Sequence, residues 1–426
     1  MQRVGITGIG VICALGNTRE EFARSLRQGL CGIAEITLAD ISGFRFRNGA
    51  EVKNFQPERH FEPRQIDIID RFAQFAAIAA REAVADAAVE WTDDLRERCA
   101  IVTGSCVGGQ STEDQGFWDV YKMGKPRVHP MTIPRTMANA GASYISMDLG
   151  LTGPAWTVST ACSSSNHAIG QAFHMVRSGD ADMAIAGGSE AAFSFGILKA
   201  WEAMRVVSGD TCRPFSKDRT GMILGEGGAM LVMEPLDRAL ARGAKVYCEV
   251  TGFGMSADAR HITQPSVDGP VRAMRMALRD GGADSGAVDY INAHGTGTGA
   301  NDSTETAAIR RVFGEHANRL AVSSTKSMHG HALGAAGAIE AAATALAIRD
   351  GFLPPTVNYR VRDPLCDLDV VPNESRSARI DCAMSNSFAF GGLNAVLLFR
   401  RCETWEVLAE SGSIVYPAIQ PATPPT

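Results

Sequence analysis

A chain of 426 residues, 45% hydrophobic and 21% charged, has the composition of an ordinary globular protein and room for one large duplicated domain or two to three ordinary ones. Its net charge of −6 argues against broad nucleic-acid binding, because no general basic surface stands ready to neutralise phosphates. The ten cysteines form no CxxC pair, and residues 4–16 are too broken by Thr7, Gly8, Gly10 and Cys13 to be a secretory h-region, so reduced thiols in a cytoplasmic protein are expected.

Residues 3–10 (RVGITGIG) read as a short apolar strand closing on glycines, followed by a helical segment over 18–28. A helix is predicted over 70–88, where Phe72, Phe75, Ala76, Ala79, Ala80 and Ala83 share one side. Residues 99–109 (CAIVTGSCVGG) read as a strand running into a glycine turn. The longest stretch without Asp, Glu, Lys or Arg, 149–176, is too rich in Ser, Thr, Gly and Asn to span a membrane. Inside it, 157–170 (TVSTACSSSNHAIG) puts Cys162 at the end of a strand-like run, before Ala168, Ile169, Ala172, Phe173 and Val176 at helical spacing. A thiol at such a corner sits near unpaired N–H groups and the positive end of a helix, which favours a thiolate and an oxyanion. A cysteine that packs as a small buried hydrophobe fits the same position.

The second half echoes the first. Residues 247–254 (YCEVTGFG) repeat the pattern of 3–10 and lead into a helical segment over 269–279; 288–297 (VDYINAHGTG) repeat 99–109; and 383–392 (AMSNSFAFGG) read as the echo of 157–165. Three pairs in one order predict a duplicated α/β unit with halves 1–245 and 246–400, built on parallel or mixed sheets covered by helices. Residues 334–349, nearly all alanine with Ile339, Leu346 and Ile348, predict a helix in the interior. Beyond 400 the pattern lapses, so 401–426, ending in PAIQPATPPT, is expected to be a flexible tail outside the fold.

Two loops of the second half carry further candidate chemistry. Residues 292–305 (NAHGTGTGANDSTE) place His294 at a strand end, and 323–337 (SSTKSMHGHALGAAG) place Lys326, His329 and His331 before the alanine-rich helix. Histidines at strand ends beside glycine-rich loops suit a shared pocket, although one alone is more often structural. His329 and His331 lack Cys or carboxylate ligands at zinc spacing, so His329 is taken as non-catalytic and no metal is expected.

TACSSS around Cys162, HGTGT, KSxxGH followed by GAAG, and NSFAFGG occur in this order. Over residues 3–400 the chain thereby resembles the elongating β-ketoacyl-acyl-carrier-protein synthases of the thiolase superfamily. The resemblance implies an α/β thiolase-like fold, its duplicated halves forming a layered α-β-α-β-α core. It implies that Cys162 takes an acyl group from a carrier-protein thioester, and that malonyl-carrier protein then loses carbon dioxide to give the carbanion that attacks it. His294 and His331 would stabilise the enolate oxygen, the N–H groups of Cys162 and Phe390 a second oxyanion, and Lys326 with Glu340 the charge balance around His331. By the same resemblance Thr263, Thr296 and Thr298 would hold phosphopantetheine, Val107 would line the acyl pocket, and Phe390 would gate it. Arg64, Lys125, Arg127 and Arg205 are candidates for the acidic carrier protein. A homodimer is implied, with no bound cofactor beyond the carrier's phosphopantetheine.

Thiolases use a second cysteine with one histidine, and chain-initiating synthases pair histidine with asparagine, so the Cys-His-His set favours decarboxylative elongation. Three departures bear on chain length: Ala389 stands where the family usually has glycine before the gate phenylalanine, Leu393 replaces a threonine, and Cys106 replaces a glycine at the pocket floor. LKAWEAMR and SADARHITQP look particularly like nodulation-type ketosynthases of root-nodule bacteria. The rival reading is a non-catalytic partner resembling a chain-length factor; such partners lack the reactive cysteine, so Cys162 with both histidines speaks against it.

Overall fold

The computed structural model describes residues 1–402, so the expected tail over 401–426 lies, apart from its first two positions, outside the described residues. The strands of the main sheet are β1 (Val4–Cys13), β2 (Cys99–Gly104), β3 (Ala155–Val158), β4 (Met183–Glu190), β5 (Gly227–Pro235), β6 (Cys248–Ala257), β7 (Tyr290–Asn292), β8 (Ala321–Ser323), β9 (Cys382–Ala389) and β10 (Leu393–Arg400). The helices that matter here are α1 (Arg19–Gln28), α2 (Arg71–Ala87), α3 (Gln110–Tyr121), α4 (Ala140–Leu149), α5 (Ser164–Ser178), α6 (Phe195–Met204), α7 (Asp268–Asp280), α8 (Gly299–Phe313) and α9 (Ala336–Asp350). Their ends follow from local chemistry. The Thr18 hydroxyl accepts from the Glu21 N–H and the Asp70 carboxylate from the Phe72 N–H, capping α1 and α2.

The strand order is β8-β7-β9-β10-β6-β1-β5-β4-β2-β3. At its centre β1 and β6 pair antiparallel, with Val4 opposite Val250 and Ile6 opposite Cys248. Outward from that join each side runs antiparallel, antiparallel, parallel, parallel. The order and sense of β1–β5 therefore recur in β6–β10. The shared T-G-x-G of 7–10 and 251–254 has a packing reason. A Cβ on Gly10 would lie 1.9 Å from the Ala79 carbonyl oxygen of α2, and one on Gly254 would lie 2.1 Å from that of Ala273 in α7. The helix backbones rest directly on these strands.

Topology corrects one of the three echoes. The counterpart of β3, which leads to Cys162, is β8, which leads to Lys326 and His331; β9 instead corresponds to β4. Small polar residues follow β3 (Ser159, Thr160, Ser163) and lie within β9 (Ser385, Asn386, Ser387), and that local likeness misassigned 383–392.

Helices α2 and α4 pack on the first half of the sheet, α7 packs on the second with α8 against it, and α5 and α9 lie between the halves. The result is five layers, α-β-α-β-α. Every residue of α9 from Ala336 to Ile348 is buried. Its alanines allow strands and α5 to approach closely, as the sequence predicts.

Candidate active site

The hydroxyl run after Cys162 shapes the corner. The Ser164 hydroxyl accepts from the Thr160 N–H at 2.9 Å and donates to the Ala161 carbonyl at 2.6 Å, while Ser163 Oγ donates to the Thr160 carbonyl at 2.9 Å. These bonds hold Ala161 at φ +51°, a left-handed conformation that costs a non-glycine residue about 1–2 kcal/mol. Cys162 is thereby presented two residues before α5 begins, 8% exposed. Burial acts here against the thiolate bias expected of a helix terminus. Burial pushes the thiol up to about 11, outweighing Lys326 and the Phe390 and Cys162 N–H groups, which act in the opposite direction. The N–H pair is nonetheless at the sulfur, where an oxyanion on an acylated Cys162 would form.

His294 and His331 stand edge to face, ring centroids 5.4 Å apart at 85°. Burial, reinforced by Lys326, holds both well below the ordinary imidazole range, so both are neutral at pH 7. Their tautomers follow from their neighbours. The Leu333 N–H donates to His331 Nδ1 at 3.2 Å, and Lys326 Nζ lies 3.4 Å from His294 Nδ1 as its donor. Each ring therefore carries its proton on Nε2. Lys326 is fully buried and ion-paired with Glu340, whose carboxyl burial pushes up to about 7 against the pull of Lys326.

One cleft is lined by Cys162, His294, His331, Phe390, Thr263, Thr296 and Thr298. The Thr296 and Thr298 hydroxyls are 2.9 Å apart, and the Thr263 N–H donates to His261 Nδ1 at 3.1 Å. Val107 does not line this cleft. With Cys106 it packs in a neighbouring apolar cluster that includes Met222 and Leu333, of which Met222 reaches the cleft wall. Ala389 lines the cleft and Leu393 does not. His329 is buried away from the cleft wall, its Nε2 3.0 Å from Thr325 Oγ1, and no cluster of metal-ligating side chains occurs among the described residues. Arg64, Arg127 and Arg205 are exposed, and Lys125 donates to Asp119 at 2.8 Å.

Three residues escaped the sequence reading. The buried Glu305 carboxylate accepts from the N–H groups of His294 at 2.9 Å and Gly295 at 2.8 Å, and from Asn386 Nδ2 at 3.1 Å, fixing the histidine loop to β9. A carboxylate in the second turn of the helix behind that loop was the available signal. Glu190, at the end of β4, accepts from Ser105 Oγ and the Cys106 N–H, both at 2.8 Å, and from the Gly334 N–H at 3.1 Å. It joins the Cys106 turn to the loop after His331. Nothing local in the sequence marks it; Trp201 lies in the LKAWEAMR stretch, but nothing there points to its partner, and its ring stacks on Phe390 with centroids 6.1 Å apart at 25°.

Two family models match the chain: beta-ketoacyl synthase, N-terminal domain, over residues 1–239, and beta-ketoacyl synthase, C-terminal domain, over 247–360. Nodulation protein E of Rhizobium sp. (strain N33) is 47% identical over 402 residues, covering 94% of this chain and 99% of that protein. 3-Oxoacyl-[acyl-carrier-protein] synthase 2 of Staphylococcus aureus (strain N315) is 42% identical over 409 residues, covering 94% and 99%. A solved complex of a type II polyketide synthase acyl-carrier protein with its ketosynthase bound to the hexaketide superposes with a TM-score of 0.85 at 32% identity, covering 94% of this chain and 100% of that one. With a cornered thiol and two Nε2–H imidazoles in one cleft, and both parts of one family model matched in order, the chain belongs to the β-ketoacyl synthase family and is an acyltransferase.

Proposed function

We propose that this synthase loads an acyl chain from acyl-carrier protein onto Cys162 and extends it by two carbons through decarboxylative condensation with malonyl-carrier protein. The observation that carries the reading is Cys162, His294 and His331 in one cleft, with Lys326 Nζ and the Leu333 N–H facing the Nδ1 atoms of the two imidazoles and so favouring a proton on each Nε2. In the first step the Cys162 sulfur attacks the thioester carbonyl, the oxyanion rests on the Cys162 and Phe390 N–H groups, and the thiol proton ends on the departing pantetheine thiol. Malonyl-carrier protein then loses carbon dioxide, and the enolate oxygen is held by the Nε2–H groups of His294 and His331. Its carbon attacks the acyl-Cys162 carbonyl, the C–S bond breaks, and the Cys162 thiolate takes up one proton. Two neutral donors suit this chemistry, since decarboxylation generates the nucleophile and no α-proton has to be removed.

The cleft threonines Thr263, Thr296 and Thr298 serve the phosphopantetheine arm, and the steps call for no resident cofactor. Halves 1–245 and 246–400 act as one unit in this scheme. A second copy covers the sheet edge at β3 together with the exposed Phe117, Trp118 and Tyr121 of α3 and Met147 of α4, forming a homodimer. Similarity to nodulation protein E favours a specialised lipid chain over bulk fatty acid synthesis, made in the cytoplasm. No helix among the described residues is long and apolar enough to cross a membrane.

C162Q tests the reading. It should abolish condensation while malonyl-carrier protein still loses carbon dioxide, measured as labelled CO2 release beside mass spectrometry of the product. Condensation surviving in C162Q would refute the nucleophile, and a wild-type protein that binds acyl-carrier protein yet forms no acyl-Cys162 would favour a chain-length-factor-like role.

A further inference from the structure

The turn between β9 and β10 bears on the cleft twice: the Phe390 N–H lies at the Cys162 sulfur, and the Phe390 ring lines the cleft wall. Gly391 and Gly392 follow Phe390 at φ +84° and +70°, the left-handed region that glycine enters without a Cβ penalty. Gly392 is held by its N–H to the Ala389 carbonyl at 3.0 Å and by its own carbonyl, which accepts from the Asp258 N–H at 2.9 Å and Asn394 Nδ2 at 3.1 Å, while two further contacts hold Gly391 and the Phe390 ring. The Gly391 N–H donates to the Ile262 carbonyl at 2.7 Å, and the Phe390 ring lies on the Trp201 indole. Trp201 comes from α6, an element of the first half that shares no sheet pairing with the turn. It is half-buried and itself lines the cleft.

We propose that Trp201 is the positioning residue of the gate, a flat indole latch that holds the Phe390 ring closed and with it the Phe390 N–H in register with Cys162. An alkyl chain heading for Cys162 must part the two rings. The inference rests on the acyl-transfer reading for its purpose but not for its test, which uses small alkylating agents. An aromatic pair of this kind shifts an open–closed equilibrium by about two- to twelve-fold.

The experiment compares iodoacetamide with N-octyl iodoacetamide as alkylators of Cys162 in the full-length protein, following adducts by peptide mass spectrometry. The ratio of the two rates cancels any general change in thiol reactivity. W201A should raise the octyl-to-small ratio by about two- to twelve-fold, and W201F, which keeps a smaller aromatic face, should fall between wild type and W201A. F390L should raise the ratio as well, and W201A added to F390L should change it little further, because the latch has lost its partner. A ratio in W201A equal to wild type overturns the latch, as does full additivity of W201A and F390L. If W201A does not fold, W201F and W201L in the F390L background supply the same cycle. Wild-type protein that is alkylated as described but never acylated from acyl-carrier protein would sink the transfer reading and leave the latch standing.

Discussion

Replacing Lys326 by methionine separates stability from chemistry. Lys326 is fully buried, pairs with Glu340, and supplies the donor to His294 Nδ1 at 3.4 Å. Removing one partner of a buried ion pair costs about 3–5 kcal/mol. Here the lower end is expected, because burial already pushes the Glu340 carboxyl up to about 7 while Lys326 pulls it down, so without the lysine it stays protonated at neutral pH. The chemical loss has another origin. With no donor at Nδ1, the His294 proton is free to move there, and the Nε2–H donor to the enolate is lost at a cost of about 10²–10³-fold in rate. Carbon dioxide release from malonyl-carrier protein should fall by that factor. Acyl-Cys162 formation, followed by intact mass, should fall less, since its oxyanion rests on backbone N–H groups. The double variant K326M/E340Q should recover thermal stability without recovering decarboxylation. Parallel loss of both half-reactions in K326M, or recovered decarboxylation in the double variant, would refute the tautomer argument.

Two further outcomes follow from burial and packing. Because burial holds the Cys162 thiol up to about 11, its iodoacetamide alkylation rate should climb tenfold per pH unit from neutrality and level only near pH 11; a plateau below pH 9 would show that the helix terminus and Lys326 dominate instead. G10A should cost about 1–3 kcal/mol or more in urea unfolding, because its Cβ would sit 1.9 Å from the Ala79 carbonyl oxygen and α2 would have to move; a loss under 0.5 kcal/mol would mean that the β1–α2 contact is loose.

Cys162, His294 and His331 were legible as candidates because they follow strands β3, β7 and β8 in runs of small residues, with His331 set one short helix (Lys326–His329) beyond its strand. The T-G-x-G repeat was legible because close packing of a helix on a strand leaves a glycine signature. What the sequence hid was relational. Glu190 meets the Cys106 turn and Gly334 only after β4 lies beside β2 and the β8 loop crosses over, at separations of 84 and 144 residues. Trp201 meets Phe390 across the cleft in the same way. The helix terminus at Cys162 is a local feature that the sequence shows, whereas the burial that pushes the thiol up is set by the whole cleft. Val107, which the resemblance assigns to the acyl pocket, packs with Cys106 in the apolar cluster next to the cleft.

The corrected echo changes how the site is understood. If the Cys162 corner corresponded to 383–392, the two halves would contribute unlike parts by unlike routes. With β3 and β8 as counterparts, the corner before α5 and the corner before α9 are equivalent positions of one duplicated unit, and α5 and α9 pack together in the middle layer. That packing brings both corners to the same cleft. One corner keeps a thiol beside a helix terminus. The other carries Lys326 and His331, with His294 joined to it through Lys326 Nζ. Chemistry that needs a covalent acyl carrier and a separate enolate site is served by such a duplication, because the two sites can differ in residues while the fold fixes where they meet. The turn at Phe390, on the β9–β10 hairpin, brings its N–H to the Cys162 sulfur, and Trp201 of the first half stacks on its ring.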